Sequence, residues 1–219
     1  MPPKLRIDFV SDVSCPWCAI GLSALEQALH RMEGEVQVDM HFQPFELNPQ
    51  MGPEGQDVGE HLTQKYGSTP AQQAEIRERI RQRGADEGFV FNPAGRGRIW
   101  NTFDAHRLLH WASTLDSPSN AQHALKKALL VAYHGQARSM ADHAVLLDLV
   151  AQVGLDVATA QEVLFSGRYT DEVRAQEAHF QSLGIRSVPG VVINNRHLVS
   201  GGQPAEVFEQ ALRQIAAGA

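Results

Sequence analysis

Ile7-Asp8-Phe9-Val10-Ser11-Asp12-Val13-Ser14-Cys15-Pro16-Trp17-Cys18-Ala19-Ile20-Gly21 is the stretch that decides the fold. Leu5 to Val10 is an apolar run of strand length, broken by Arg6 and Asp8. The two cysteines follow, three positions apart, and they are the only two in 219 residues. Random placement would give that spacing in about 1 case in 110. Pro16 suits the first position of a helix, and Leu25, Ala28, Leu29 and Met32 recur at i, i+3, i+4 and i+7 before Gly34 stops the pattern. The spacing therefore predicts a strand, then a helix from Pro16 to Met32 with the cysteines at its start. Val36, Val38, Met40 and Phe42 alternate with polar residues, the period of a second strand, which Pro44 closes.

Outward from this β-α-β opening the pattern turns helical. From about Asn48 to Gly184 breakers separate helical segments, and no convincing strand is read among them. Thr69-Pro70-Ala71-Gln72 is a capping box, Ser117-Pro118 repeats the start signal, and Asp142, Asp156 and Thr170 are further caps. Gly154, Gly167 and Gly184 end the last three helices. The segment after Pro70 is so polar that it is expected on the surface, with one narrow buried stripe containing Ile76 and Ile80. After Gly184, Val191-Val192-Ile193 and Arg196 to Ser200 flank Asn194-Asn195, a hairpin signature. Pro204 opens a last helix with Val207, Phe208, Ala211, Leu212 and Ile215 on one face. The fold class expected is α/β: a β-α-β … β-β-α unit over 1–50 and 184–219, split by an all-helical insertion over 51–183.

The net charge of −6 offers no basic field for a polyanion, so no nucleic-acid partner is expected. Hydrophobic residues at 43% with no apolar run of about 18 residues argue for a soluble chain and against a membrane. No secretion signal is read at the start, which makes the cytoplasm the expected compartment. There thiols stay reduced, so a cysteine pair points to transient or catalytic chemistry. At a helix start the unpaired N–H groups and the dipole favour an anion; Cys15 is thus the candidate thiolate nucleophile and Cys18, one turn on, the candidate resolving thiol. Two other readings are weighed against this. A zinc site would need His106 and His110 as further ligands, and the pair is more simply two helix histidines, one facing a cleft; two inert buried thiols would be oddly placed at a helix start. No metal is expected.

These features resemble the DsbA-like branch of the thioredoxin fold, most closely its FrnE-like group. The residues that carry the resemblance are Ile7 to Gly21, Asn101-Thr102-Phe103-Asp104-Ala105-His106-Arg107-Leu108, Gly184-Ile185-Arg186-Ser187-Val188-Pro189-Gly190, and Ser200-Gly201-Gly202-Gln203-Pro204. The resemblance implies a thioredoxin-like fold with a helical insertion and a thiol-disulfide oxidoreductase whose redox centre is Cys15 and Cys18, with no separate cofactor. It implies that Val188-Pro189 is a cis peptide beside the sulfurs, with Pro16, Trp17, Val188 and Pro189 forming the active-site loop and substrate surface. Asn101 and His106 become cleft-lining candidates. Asp8, seven positions before Cys15, is a candidate proton acceptor, or else an ordinary aspartate on a strand edge. Similar glutathione-dependent isomerases and kappa-class glutathione transferases place serine where Cys15 stands, so they are the alternative on this fold, with glutathione as co-substrate. A non-enzymatic redox sensor is the third reading. The expected partners are protein or small-molecule thiols and disulfides.

Overall fold

The computed structural model describes residues 2–115 and 120–218, so the Ser117-Pro118 start lies outside the described residues. Strand β1 (Lys4–Ser11) leads into helix α1 (Pro16–Arg31) and strand β2 (Gln37–Pro44). β1 and β2 pair in parallel, Ile7 opposite Met40 and Phe9 opposite Phe42. At the other end of the chain, β5 (Gly190–Ile193) and β6 (His197–Ser200) form the hairpin, Asn194 and Asn195 both adopting positive φ, and α9 (Ala205–Ala217) follows. β5 runs antiparallel to β1, giving one sheet in the order β2-β1-β5-β6.

Alternation along β1 sorts its side chains between two faces. Leu5, Ile7 and Phe9 enter a core with Leu22, Leu25 and Ala28 of α1 and Phe208 and Leu212 of α9. Cys15 and Cys18 belong to this same core. Val10 points the other way, toward Phe45, Phe180, Ile185 and Val192. Each fully buried large apolar side chain contributes about 1.5–3 kcal/mol.

Between the halves lie α2 (Val58–Tyr66), α3 (Pro70–Asp86), α4 (Phe103–Ser113), α5 (Ala121–Leu130), α6 (His143–Gln152), α7 (Val157–Phe165) and α8 (Thr170–Ser182). Leu108 and Trp111 of α4, Leu125 and Leu129 of α5, Leu146 and Val150 of α6 and Val163 of α7 make a second core. Val13, from the loop between β1 and α1, inserts into it. The cysteine loop therefore sits at the seam, anchored in the helical core by Val13 and in the sheet core by its two sulfurs.

Three sequence readings are corrected here. A short ladder of β3 (Gln56–Asp57) and β4 (Arg98–Ile99) exists inside the helical block; two residues a side are too few to show a period, and Gly55 and Gly97, both at positive φ, bound it. In α3, Ile76 is 46% exposed and no buried stripe contains it. The helix docks instead through Gly84, where a Cβ would lie 2.4 Å from the Phe91 ring. Thr170 is the first residue of α8 rather than its cap, which is Tyr169. The Thr69–Gln72 capping box is formed, and Asp142 and Asp156 cap α6 and α7 by accepting from Ala144 and Thr159 N–H, both at 2.8 Å.

Candidate active site

Cys15 is the N-cap of α1 and Pro16 its first residue, which puts the Cys15 sulfur at the positive end of the helix dipole. The Cys18 N–H donates to the Cys15 carbonyl at 3.1 Å, which folds the pair into one turn. Both residues carry free thiols; Cys18 is fully buried and Cys15 is 4% exposed. The two sulfurs are not equivalent. A hydrogen bond from the Cys18 thiol lowers the Cys15 pKa against the effect of burial, helped by the Cys18 and Trp17 N–H groups and opposed by the Asp12 charge. Burial, and then the bond to Cys15, pushes Cys18 well up. The arrangement makes Cys15 the thiolate that forms first.

The Val188-Pro189 peptide bond is cis. The Cys15 thiol lies 3.6 Å from the Val188 carbonyl oxygen, and the Pro189 carbonyl accepts from Gly201 N–H at 2.8 Å. Two glycines make the approach possible: a Cβ at Gly21 would lie 3.1 Å from Pro189 Cγ, and one at Gly202 would lie 2.9 Å from the Trp17 carbonyl oxygen. Gly202→Ala must therefore push the turn away from Trp17. The expected loss is about 1–3 kcal/mol of stability, together with slower disulfide exchange; urea unfolding and an exchange assay on the same variant check both, and an unchanged variant would show that the turn yields freely.

Asp12 holds the loop. Its carboxylate accepts from Ser14 N–H at 3.0 Å and Thr102 Oγ1 at 2.8 Å through one oxygen, and from Ser14 Oγ and Leu47 N–H, both at 2.7 Å, through the other. Burial disfavours this anion, but His106 and the Leu47 and Ser14 N–H groups outweigh it and hold the carboxyl well below the usual range. The neighbouring carbonyls are also satisfied, as buried backbone requires. Val13 accepts from His134 Nε2 at 2.9 Å and Ser14 from the Arg96 guanidinium. His134 belongs to a π-turn, Val131–Gly135, that follows α5. Burial, with Arg96 nearby, keeps its imidazole neutral, so Nε2 carries the proton it donates.

Asp8 is not beside the sulfurs. It follows strand parity onto the face opposite Phe9, where Arg6 clasps both its oxygens at 2.8 Å and Gln43 donates at 2.6 Å. The carboxylate near the thiols is Asp12. Asn101 does not line the open cleft of about 650 Å³, which Leu47 to Gln56 form with His61, Gln64 and Lys65. It stands behind that wall, accepting from Phe103 N–H and donating to the Met51 carbonyl. His106 is buried, its Nε2 3.6 Å from Asp12 and without a hydrogen-bond partner among the described residues, and it faces a narrow internal void rather than a cleft. His110 bonds Gln176 instead of joining it. Asp12, Arg96 and His134 were not singled out from sequence. Asp12 had a local signal, an Asp two residues before a Ser at the mouth of a helix, the pattern of an Asx turn; Arg96 and His134 had none.

A thioredoxin-like sheet with two cysteines at the first helix start and Val188-Pro189 beside them defines a class, and the chain belongs to the family of the DSBA-like thioredoxin domain, whose model matches residues 6–213. Among solved structures it is similar to a probable DsbA oxidoreductase from Streptomyces coelicolor, with TM-score 0.86 and 35% identity, covering 98% of this chain and 90% of that one. The cytosolic disulfide reductase DsbM from Pseudomonas aeruginosa, solved with GSH, shares the fold at TM-score 0.66 and 20% identity, covering 97% and 99%. Among curated proteins the chain is 26% identical to the uncharacterized protein YwbO of Bacillus subtilis over 209 residues, 95% of this chain and 96% of that protein.

Proposed function

We propose that the chain is a thiol-disulfide oxidoreductase that works through Cys15 and Cys18. The Cys15 thiolate attacks a substrate disulfide, forming a mixed disulfide and expelling one thiolate. Cys18 then attacks the Cys15 sulfur, releasing the second thiolate and closing an intramolecular disulfide; two electrons pass to the substrate. The reverse sequence oxidises a dithiol. The exchange uses only the two sulfurs, and protein disulfides and small disulfides such as oxidised glutathione enter as substrates. Pro16, Trp17, Val188 and Pro189 form the surface that holds the substrate beside Cys15.

The observation that carries this reading is the asymmetry of the pair: a sulfur at the N-cap of α1, against the Val188 carbonyl, with a lowered pKa, backed by a fully buried partner whose proton is held. We place the reaction in the cytoplasm, where a dithiol is kept reduced between turnovers. Among the described residues no helix is long and apolar enough to cross a membrane. Reduction of insulin disulfides in the presence of dithiothreitol tests the proposal. Acceleration over the reductant alone is expected; a rate no faster than the reductant alone removes it.

A further inference from the structure

Resolution of a mixed disulfide demands that Cys18, fully buried, lose its proton. A thiolate in an apolar interior is unfavourable unless a positive charge faces it. Every apolar neighbour of Cys18 in the sheet core, Phe9, Leu22 and Phe42 among them, leaves that need unmet.

A buried cation adjoins this core at Phe42. Lys126, on α5, is 1% exposed, yet among the described residues its ammonium forms no ion pair and donates no hydrogen bond. A lysine is almost never buried without a partner. It lines a narrow void with Phe42, His106 and His110. Phe42 packs in the same core as Cys18, and His106 stands beside Asp12, whose carbonyl accepts the Cys15 N–H. The local backbone is firmly set, because Gln122, one helical turn before Lys126, bonds both the N–H and the carbonyl of Phe42 at 2.9 Å. α5 is thus clamped to β2 with Lys126 turned inward.

We propose that Lys126 is a positioning residue for the second half of the exchange, its charge stabilising the Cys18 thiolate as it attacks the Cys15 sulfur. The inference rests on the oxidoreductase reading above. Lys126 shares its void with His106 and His110 of α4, and the titratable groups within reach of its charge are Cys18, Asp12 and Cys15 from α1 and the loop before it and His134 from the π-turn. Burial lowers the pKa of Lys126, and Cys18, Asp12 and Cys15 in turn favour its ammonium form. The lysine and the thiolate therefore ionise together: the amine gains its proton most readily when Cys18 loses one. In the mixed disulfide Cys15 is no longer a thiolate, so the bond and the repulsion from it that raise Cys18 are gone. Lys126 is then the charge that opposes burial. The step balances: Cys18 gives its proton to solvent, its sulfur bonds to the Cys15 sulfur as the bond between Cys15 and the substrate sulfur breaks, and the substrate sulfur leaves with that electron pair and takes up a proton from solvent.

Stopped-flow reaction of the reduced protein with 5,5′-dithiobis(2-nitrobenzoate) separates the two halves, because each releases one coloured thiolate. In Lys126→Met the second release at pH 7 should slow by about tenfold or more relative to the first, and its pH midpoint should move upward. Lys126→Arg, which keeps the charge, should restore both. Lys126→Gln supplies a second neutral variant where the methionine disturbs folding, and melting curves accompany each. A folded neutral variant whose second release keeps the wild-type rate and pH midpoint overturns the role of Lys126. An absent first release in the wild type would instead overturn the oxidoreductase reading itself.

Discussion

Cys15→Ser protein is expected to lose disulfide exchange by more than about a thousandfold, because an uncharged hydroxyl replaces the nucleophile on which every later step depends. Cys18→Ser should behave differently. Its Cys15 still sits at the N-cap of α1, but the bond from the Cys18 thiol that lowers its pKa is replaced by a serine hydroxyl. Attack should continue while resolution cannot, so a mixed disulfide on Cys15 accumulates. Mass spectrometry after incubation with a disulfide substrate reads both outcomes. An adduct on Cys18 in the Cys15→Ser protein, or none on Cys15 in the Cys18→Ser protein, would reverse the assigned roles.

The second large effect concerns stability. Asp12→Ala leaves the Ser14 N–H, the Leu47 N–H and the Thr102 hydroxyl without their acceptor in a buried site. Removing one partner from a buried charged network costs about 3–5 kcal/mol, a large share of the stability of an ordinary domain. The pH dependence has a definite sign. The folded pKa of Asp12 is depressed below its unfolded value of about 3.9. Its contribution is therefore present above that value and is lost as pH falls toward the folded pKa. Urea unfolding at pH 7 and pH 3 should show wild-type stability dropping with acid, and Asp12→Asn should already be less stable at pH 7 and drop by less. An Asp12→Asn protein with wild-type stability at pH 7 would contradict the role of this carboxylate as the anchor of the loop.

Asp12 also marks where sequence reading stops. β1, α1 and the β5–β6 hairpin were legible because their apolar residues repeat at the period of their own element, and the cysteines because their spacing is local. The cis bond came from family resemblance, since nothing in the residues around Val188-Pro189 distinguishes it from an ordinary proline at a strand start. The partners of the cysteine loop were not legible, since Leu47, Arg96, Thr102, Lys126 and His134 come from five segments that only the tertiary fold brings together. Lys126 reads from sequence as one of two adjacent lysines on an amphipathic helix, where a solvent-facing position is the ordinary outcome. Asp8 illustrates the converse error. A carboxylate in the first strand invites a proton-transfer role, but Phe9 faces the sulfurs, so by alternation Asp8 cannot. The chain turns after Ser11, and that turn brings Asp12 to the loop instead.

The measurement closest to the central claim is iodoacetamide alkylation as a function of pH, with each cysteine followed by peptide mass mapping. The asymmetry of the pair predicts that Cys15 is modified with a midpoint below the free-thiol value of about 8.5, while Cys18 stays unmodified across that range. Equal labelling of the two cysteines, or a Cys15 midpoint at or above the free-thiol value, would contradict it.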